Sequence, residues 1–130
     1  MTDTSIKFLI VDDFAAMRKI IKKLLVELGY QEIHEAENGQ VAWRMLKSDN
    51  FNVIIADWNM PEMSGLDLLK TIREDEKYKD IPFLMVTAES NKDNIIEAIQ
   101  AGADDYIVKP FNADTLKEKV KEVLNQLDET

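Results

Sequence analysis

The chain contains no cysteine, which excludes disulfides and thiolate metal sites and is compatible with a reducing cytosol. It also lacks long apolar runs: the longest are about four residues, far short of the roughly 20 that a membrane-spanning helix needs. The N-terminus, Met1-Thr2-Asp3-Thr4-Ser5, shows no basic segment followed by an apolar one, so no signal peptide is expected. Cytoplasmic localisation is the expectation. Positive charge is in deficit, with 16 basic residues against 25 acidic ones and a net charge of −9. That balance argues against nucleic acid as a direct ligand, because phosphate backbones require neutralising cations. The basic residues that are present cluster as Arg18-Lys19 with Lys22-Lys23, and as Lys117, Lys119 and Lys121. Solvated helix faces are the plain explanation; a docking patch for an acidic partner is the sharper one. The one histidine, His34, has no metal-spaced partner and is expected at the surface.

What is present is a regular alternation. At 130 residues, 45% hydrophobic and 32% charged, the chain is expected to form one globular domain over 1–130. Five apolar runs, near 6–11, 32–36, 52–57, 82–87 and 105–109, alternate with helical patterns. Met17, Ile20, Ile21, Leu24, Leu25 and Leu28 recur at the three-and-four spacing of one buried stripe, which Gly29 ends. Helices are expected again over 39–48, 65–74 and 91–101, the last carrying Ile95, Ile96 and Ile99 and stopping at Gly102. The final helix follows an Asn112 cap and carries Leu116, Val120, Val123, Leu124 and Leu127 on one face. Runs one, three and four are apolar almost throughout, as strands covered by helices on both faces are; the second, Glu32 to Ala36, is more polar and belongs at an edge. The expected fold is therefore α/β, a (βα)5 doubly wound parallel sheet of five strands with right-handed crossovers. These units consume the chain and leave no residues for a second, output domain. Periodicity does not give strand order. The flavodoxin-like order 2-1-3-4-5, borrowed from that class of fold, would make strands one and three neighbours at the point where winding reverses and ligands bind.

Asp12, Asp13, Asp57, Thr87 and Lys109 each end one of these apolar runs. Side by side in a parallel sheet, they would share one small cleft. Carboxylates about 5 Å apart repel by roughly 3 kcal/mol per pair at an effective dielectric of 20, so the cluster is a poor choice for stability alone. A hard dication relieves it, and carboxylate oxygens with retained waters suit octahedral Mg²⁺. Asp13 and Asp57 read as direct ligands, Asp12 as direct or through water. Asp57, central and flanked by the acidic pair, reads as a phosphoacceptor, since a carboxylate can attack phosphorus to form a mixed anhydride. Lys109 is most simply a counter-ion to the acids. Trp58 flanks the acceptor and could sense bound metal, whereas Trp43, inside a helix, is packing.

The stretches Val11-Asp12-Asp13-Phe14, Asp57-Trp58-Asn59-Met60-Pro61, Met85-Val86-Thr87-Ala88-Glu89 and Tyr106-Ile107-Val108-Lys109-Pro110-Phe111 resemble those of response-regulator receiver domains, and the resemblance spans essentially the whole chain. Receivers are among the standard examples of the order 2-1-3-4-5. Asp57-Trp58-Asn59-Met60-Pro61 and Lys109-Pro110-Phe111 narrow the likeness to the stand-alone chemotaxis branch. The resemblance implies phosphoryl transfer to Asp57 from a sensor histidine kinase or a small phosphodonor, with Mg²⁺ also bound by the backbone carbonyl of Asn59. It implies that Lys109 and Thr87 meet the phosphoryl oxygens, that Asn59 and Glu89 tune the lifetime of the phosphoryl group, and that Tyr106 reports the change. Ile95, Tyr106, Val108 and Lys119 match a partner face, which in that branch meets the flagellar motor switch. A phosphatase is a further implied partner, a monomer the implied state, and a cis Lys109-Pro110 bond the implied geometry. Two departures stand out: Ser90-Asn91 and Asp93 make the start of the fourth helix less basic than is common in that branch, and Asp104-Asp105 reads like receivers in general.

Three classes compete. A flavin mononucleotide binder would need a hydroxyl- and glycine-rich phosphate loop after strand one, where Asp12-Asp13-Phe14 stands. An aspartate-based Mg²⁺ phosphatase would open with Asp-x-Asp there, and that motif is absent. A phosphorylation-gated binding module, not an enzyme on other substrates, fits best, with a phosphorelay shuttle or phosphate sink as its variants.

Overall fold

Each apolar run becomes a strand and each periodic segment a helix. The computed structural model of the protein describes residues 5–88 and 92–128. In chain order it contains β1 (Lys7–Val11), α1 (Ala15–Glu27), β2 (Glu32–Ala36), α2 (Gly39–Ser48), β3 (Val53–Asp57), α3 (Gly65–Glu74), β4 (Phe83–Thr87), α4 (Lys92–Ala101), β5 (Asp105–Val108) and α5 (Ala113–Asp128). All four strand pairings are parallel and the order is β2-β1-β3-β4-β5. The expected fold and the edge position of β2 are thus observed. Lys109 falls one residue beyond the last strand rather than within it.

Alternation along the strands sends successive side chains to opposite faces and builds two cores. Leu9, Val11, Ile54, Ala56, Phe83 and Met85 meet Ala42, Leu46, Leu68, Leu69 and Ile72 of α2 and α3. Phe8, Ile10, Val53, Ile55, Leu84 and Val86 meet Ile21, Leu25, Leu116, Val120 and Val123 of α1 and α5. Each large side chain buried in this way contributes about 1.5–3 kcal/mol. Gly29 and Gly102 end their helices at φ 102° and 110°, the left-handed region open to glycine. Asn112 caps α5, its Oδ1 accepting from Thr115 N at 2.8 Å. Ser64 opens α3 with a reciprocal capping box to Asp67.

One expectation about side-chain placement is corrected. Ile20 is 49% exposed, because the buried axis of α1 runs through Ile21 and Leu25 and Ile20 falls to one side of it. In α4 the buried residue is Ala98, while Ile96 and Ile99 face solvent and Ile95 is half-buried. The His34 side chain is 38% exposed and stands edge-on to Phe51 with ring centroids 5.5 Å apart. Trp43 packs as expected, edge-on to Tyr78. The side chain of Leu127 lies outside the described residues.

One guanidinium ties the far end of α3 to the rest. Arg73 donates from Nε and Nη2 to the Gly102 carbonyl, from Nη1 to the Lys79 and Ile81 carbonyls, and from Nη2 to Asp104 Oδ2. Asp104 Oδ2 also accepts from Phe83 N at 2.7 Å. Burial lowers the pKa of Arg73, and Asp104 and Asp80 counter that loss. Arg73→Ala strands several acceptors at once, and hydrogen bonds to charged groups each contribute about 1.5–3 kcal/mol. A loss of about 2–3 kcal/mol is expected in urea denaturation, with the slope m unchanged; a loss below about 0.5 kcal/mol would show the clamp to be incidental.

Candidate functional site

The register explains why distant acids meet. Val11 lies opposite both Ala36 and Ala56, so Asp12 and Asp57 emerge level at the carboxyl ends of adjacent strands. Asp57 pairs with Val86, and Thr87 follows one residue beyond it. Asp12, Asp13 and Asp57 each offer a carboxylate oxygen, all within 4.8 Å of one another. Asp12 and Asp57 are buried, at 1% and 7% exposure, and Asp13 is exposed. Asp12 is held by its N–H on Ala36 O at 3.2 Å and by the Phe14 N–H donated to its Oδ1 at 2.9 Å.

Lys109 supplies the counter-charge. Its Nζ stands 3.3 Å from Asp12 Oδ2 and 3.1 Å from Asp57 Oδ1. Its backbone N–H donates to Thr87 O at 2.7 Å, and the Lys109-Pro110 bond is cis. Burial pushes the Asp57 carboxyl up; Lys109 opposes that shift, while Asp12 and Asp13 reinforce it. With Lys109 counted, three carboxylates leave two negative charges in an oxygen-only donor set. Charge and donor chemistry both fit a hard dication such as Mg²⁺.

The β3–α3 connection forms the other wall. Trp58 N donates to Val86 O at 2.9 Å, and Gly65 N to Trp58 O at 2.9 Å. This loop folds so tightly that a Cβ on Gly65 would lie 2.2 Å from the Asp57 carbonyl oxygen. Glu62 takes φ 67°, a left-handed conformation costly for a side-chain-bearing residue. The resulting open cleft, about 350 Å³, is lined by Asp13, Trp58, Asn59, Met60, Pro61 and Ser64.

The structure therefore brings Asp12, Asp13, Asp57, Thr87, Lys109 and Asn59 to one end of the sheet. Glu89 lies outside the described residues. Ile95, Tyr106, Val108 and Lys119, all half-buried, belong to a separate α4-β5-α5 face. There the Lys119 ammonium sits 5.3 Å above the Tyr106 ring and 3.1 Å from Asp105 Oδ1. Burial works against the charge on Lys119, but Asp105, Glu122 and Tyr106 together raise its pKa. Two contributors were not picked out from sequence. Gly65 carries no local signal beyond being a glycine. Arg18 falls in a cluster read as solvated or as a docking patch, yet its Nη1 donates to the Asp12 carbonyl at 2.7 Å and its Nε to Glu35 Oε1 at 3.1 Å.

The family described as the response regulator receiver domain matches residues 8–121. The chain is 52% identical over 122 residues to chemotaxis protein CheY of Pseudomonas aeruginosa, covering 94% of this chain and 98% of that one. It is 53% identical over 123 residues to CheY-3 of Vibrio cholerae, covering 95% of each. Among solved structures it is similar to CheY4 of V. cholerae (TM-score 0.84, 36% identity, 91% of this chain and 98% of that one). It is also similar to the response regulator TrrA of Thermotoga maritima, solved in complex with Mg²⁺-BeF (TM-score 0.80, 42% identity, 91% and 98%).

The raised Asp57 pKa has a thermodynamic consequence. Its protonation favours the folded state: that stability is complete below the ordinary value of 3.8 and is lost as pH rises through the folded value. Ionised Asp57 thus weakens the fold at neutral pH, and Asp57→Asn relieves it. The metal-free variant is expected to melt above the unaltered chain at pH 7, with the margin shrinking as pH falls towards 4. A lower melting temperature at pH 7 would show that the Lys109 attraction outweighs desolvation.

Proposed function

The chain belongs to the response regulator receiver domain family, whose members are phosphorylation-dependent signalling switches, and we propose that Asp57 is the residue phosphorylated here. The observation that carries this reading is the convergence of three carboxylates within 4.8 Å, two of them paired with the Lys109 ammonium. Asp12, Asp13, Asp57 and the Asn59 carbonyl would hold Mg²⁺. When bound, the cation neutralises charge on the carboxylates and on an incoming phosphoryl group.

Asp57 then acts as nucleophile. One Oδ forms the bond to phosphorus, and the bond to the donor breaks with its electron pair leaving on the donor, a histidine nitrogen of a sensor kinase or the oxygen of a small acyl phosphate. The product is a mixed anhydride on Asp57, which water later hydrolyses. Lys109, already 3.1 Å from Asp57, exchanges part of that ion pair for a charge-assisted bond to a phosphoryl oxygen. The Thr87 hydroxyl supplies a second donor. The chain thereby catalyses only its own phosphorylation and dephosphorylation, and Asn59 and Glu89 influence how long the phosphoryl group lasts.

Thr87 moving towards the phosphoryl group makes room for Tyr106 to turn inward, which alters the face carrying Ile95, Tyr106, Val108 and Lys119. A charged hydrogen bond contributes about 1.5–3 kcal/mol and a neutral one about 1 kcal/mol. Their sum falls short of the roughly 5.5 kcal/mol that moves a 1:99 equilibrium to 99:1, so phosphorylation shifts the face in part and the partner completes the change. The chemotaxis relatives support a chemotaxis kinase upstream and the flagellar motor switch downstream.

Incubation with acetyl phosphate and Mg²⁺ is expected to add one phosphoryl group, mapped to Asp57 by mass spectrometry and absent from Asp57→Asn. Stoichiometric labelling of that variant would move the acceptor elsewhere. Phosphorylated chain is expected to bind a motor-switch peptide more tightly than unphosphorylated chain; equal affinities would reject the motor role and leave a shuttle or a phosphate sink.

A further inference from the structure

Asp13 is the exposed member of the acidic trio, and no described residue donates a hydrogen bond to its carboxylate. Its direction is set by the peptide that precedes it, and Asp12, whose carbonyl belongs to that peptide, is tied to β2 through both of its backbone groups. The Asp12 N–H donates to Ala36 O at 3.2 Å. The Asp12 carbonyl accepts from Arg18 Nη1 at 2.7 Å, and the same guanidinium donates from Nε to Glu35 Oε1 at 3.1 Å. Glu35 is the residue just before Ala36, so one short stretch of β2 grips Asp12 through its own backbone and through Arg18. The Arg18 side chain is only 18% exposed, and Lys22 stands 3.9 Å from the other Glu35 oxygen.

We propose that Arg18 is a positioning residue for the metal site: by bridging the Asp12 carbonyl and Glu35 it fixes the Asp12–Asp13 peptide, and so aims Asp13 at the cation. The inference rests on the Mg²⁺ reading given above. It goes beyond that reading because Arg18 contributes no oxygen ligand and carries the wrong charge to attract a cation. Charge and positioning therefore predict opposite signs. If Arg18 acted only through its charge, removing it would tighten Mg²⁺ binding. If it acts by holding the peptide, removing it weakens binding, as losing an outer-shell partner generally does. Lysine separates the two further. It keeps the charge, but a single ammonium does not reproduce the planar fork that spans a carbonyl and a carboxylate.

Mg²⁺ affinity of the unaltered chain, Arg18→Gln and Arg18→Lys is measured by Trp58 fluorescence and by calorimetry, alongside the metal-free melting temperature. Both variants are expected to bind Mg²⁺ on the order of tenfold more weakly. Phosphorylation by acetyl phosphate should recover in both at saturating Mg²⁺, so that the metal requirement shifts while the saturated rate holds. Arg18→Gln binding Mg²⁺ as tightly as the unaltered chain, or more tightly, overturns the proposal. Should that variant fail to fold, Arg18→Lys decides by the same criterion. An unaltered chain that binds no Mg²⁺ by either method removes the metal reading itself; a responsive chain with indifferent variants removes only the role of Arg18.

Discussion

The Lys109 ammonium, 3.1 Å from Asp57 and 3.3 Å from Asp12, is the contact on which the rest of the molecule depends. Carboxylate oxygens that lie within 4.8 Å of one another, as here, repel by about 3 kcal/mol or more per pair at an effective dielectric of 20, and the cleft contains three such groups. One cation between the two buried acids offsets part of that repulsion and leaves the remainder for the fold to bear. Fully buried Leu or Ile side chains contribute about 1.5–3 kcal/mol each, and two cores on opposite faces of the sheet supply many of them. Packing therefore wins, and the charged cluster persists under load.

The same ammonium sits where the cleft meets the remote face. Lys109 follows directly on β5, and its N–H donates to Thr87 O at the end of β4. β5 is only four residues long and buries Ile107 with Leu116, Val120 and Val123 of α5, while Lys119 of that helix covers the Tyr106 ring and pairs with Asp105. A charge change at Asp57 that redirects Lys109 or Thr87 has a short, hydrogen-bonded route to that face. On the proposed function, this economy of distance is why a few kcal/mol at the site suffices to bias a surface.

Much of the fold was legible because it rests on local signals. Apolar runs bounded by helical periodicity located all ten elements, and Asn112, Gly29 and Gly102 marked helix ends by capping and left-handed backbone. The site was legible because each candidate ended an apolar run, and parallel strands deliver such positions to a common edge. What escaped was set by tertiary geometry. Ile20 has the right periodicity for burial, but the width of the stripe that a helix buries depends on the groove it meets. Arg18 looked like one more surface cation until β2 placed Glu35 within its reach. The demand for glycine at position 65 comes from the Asp57 carbonyl, which is eight residues earlier and becomes a neighbour only once the loop closes.

The clamp around Arg73 makes α4 a cantilever. Its sole buried residue among those described is Ala98, near its C-terminal end, and the Gly102 carbonyl just beyond is gripped twice by the guanidinium. The fulcrum therefore lies at the end away from Thr87, and the shallowly seated arm begins at Lys92. Tilting that arm disturbs few seated side chains, whereas a helix bedded along its whole length would have to break core to move.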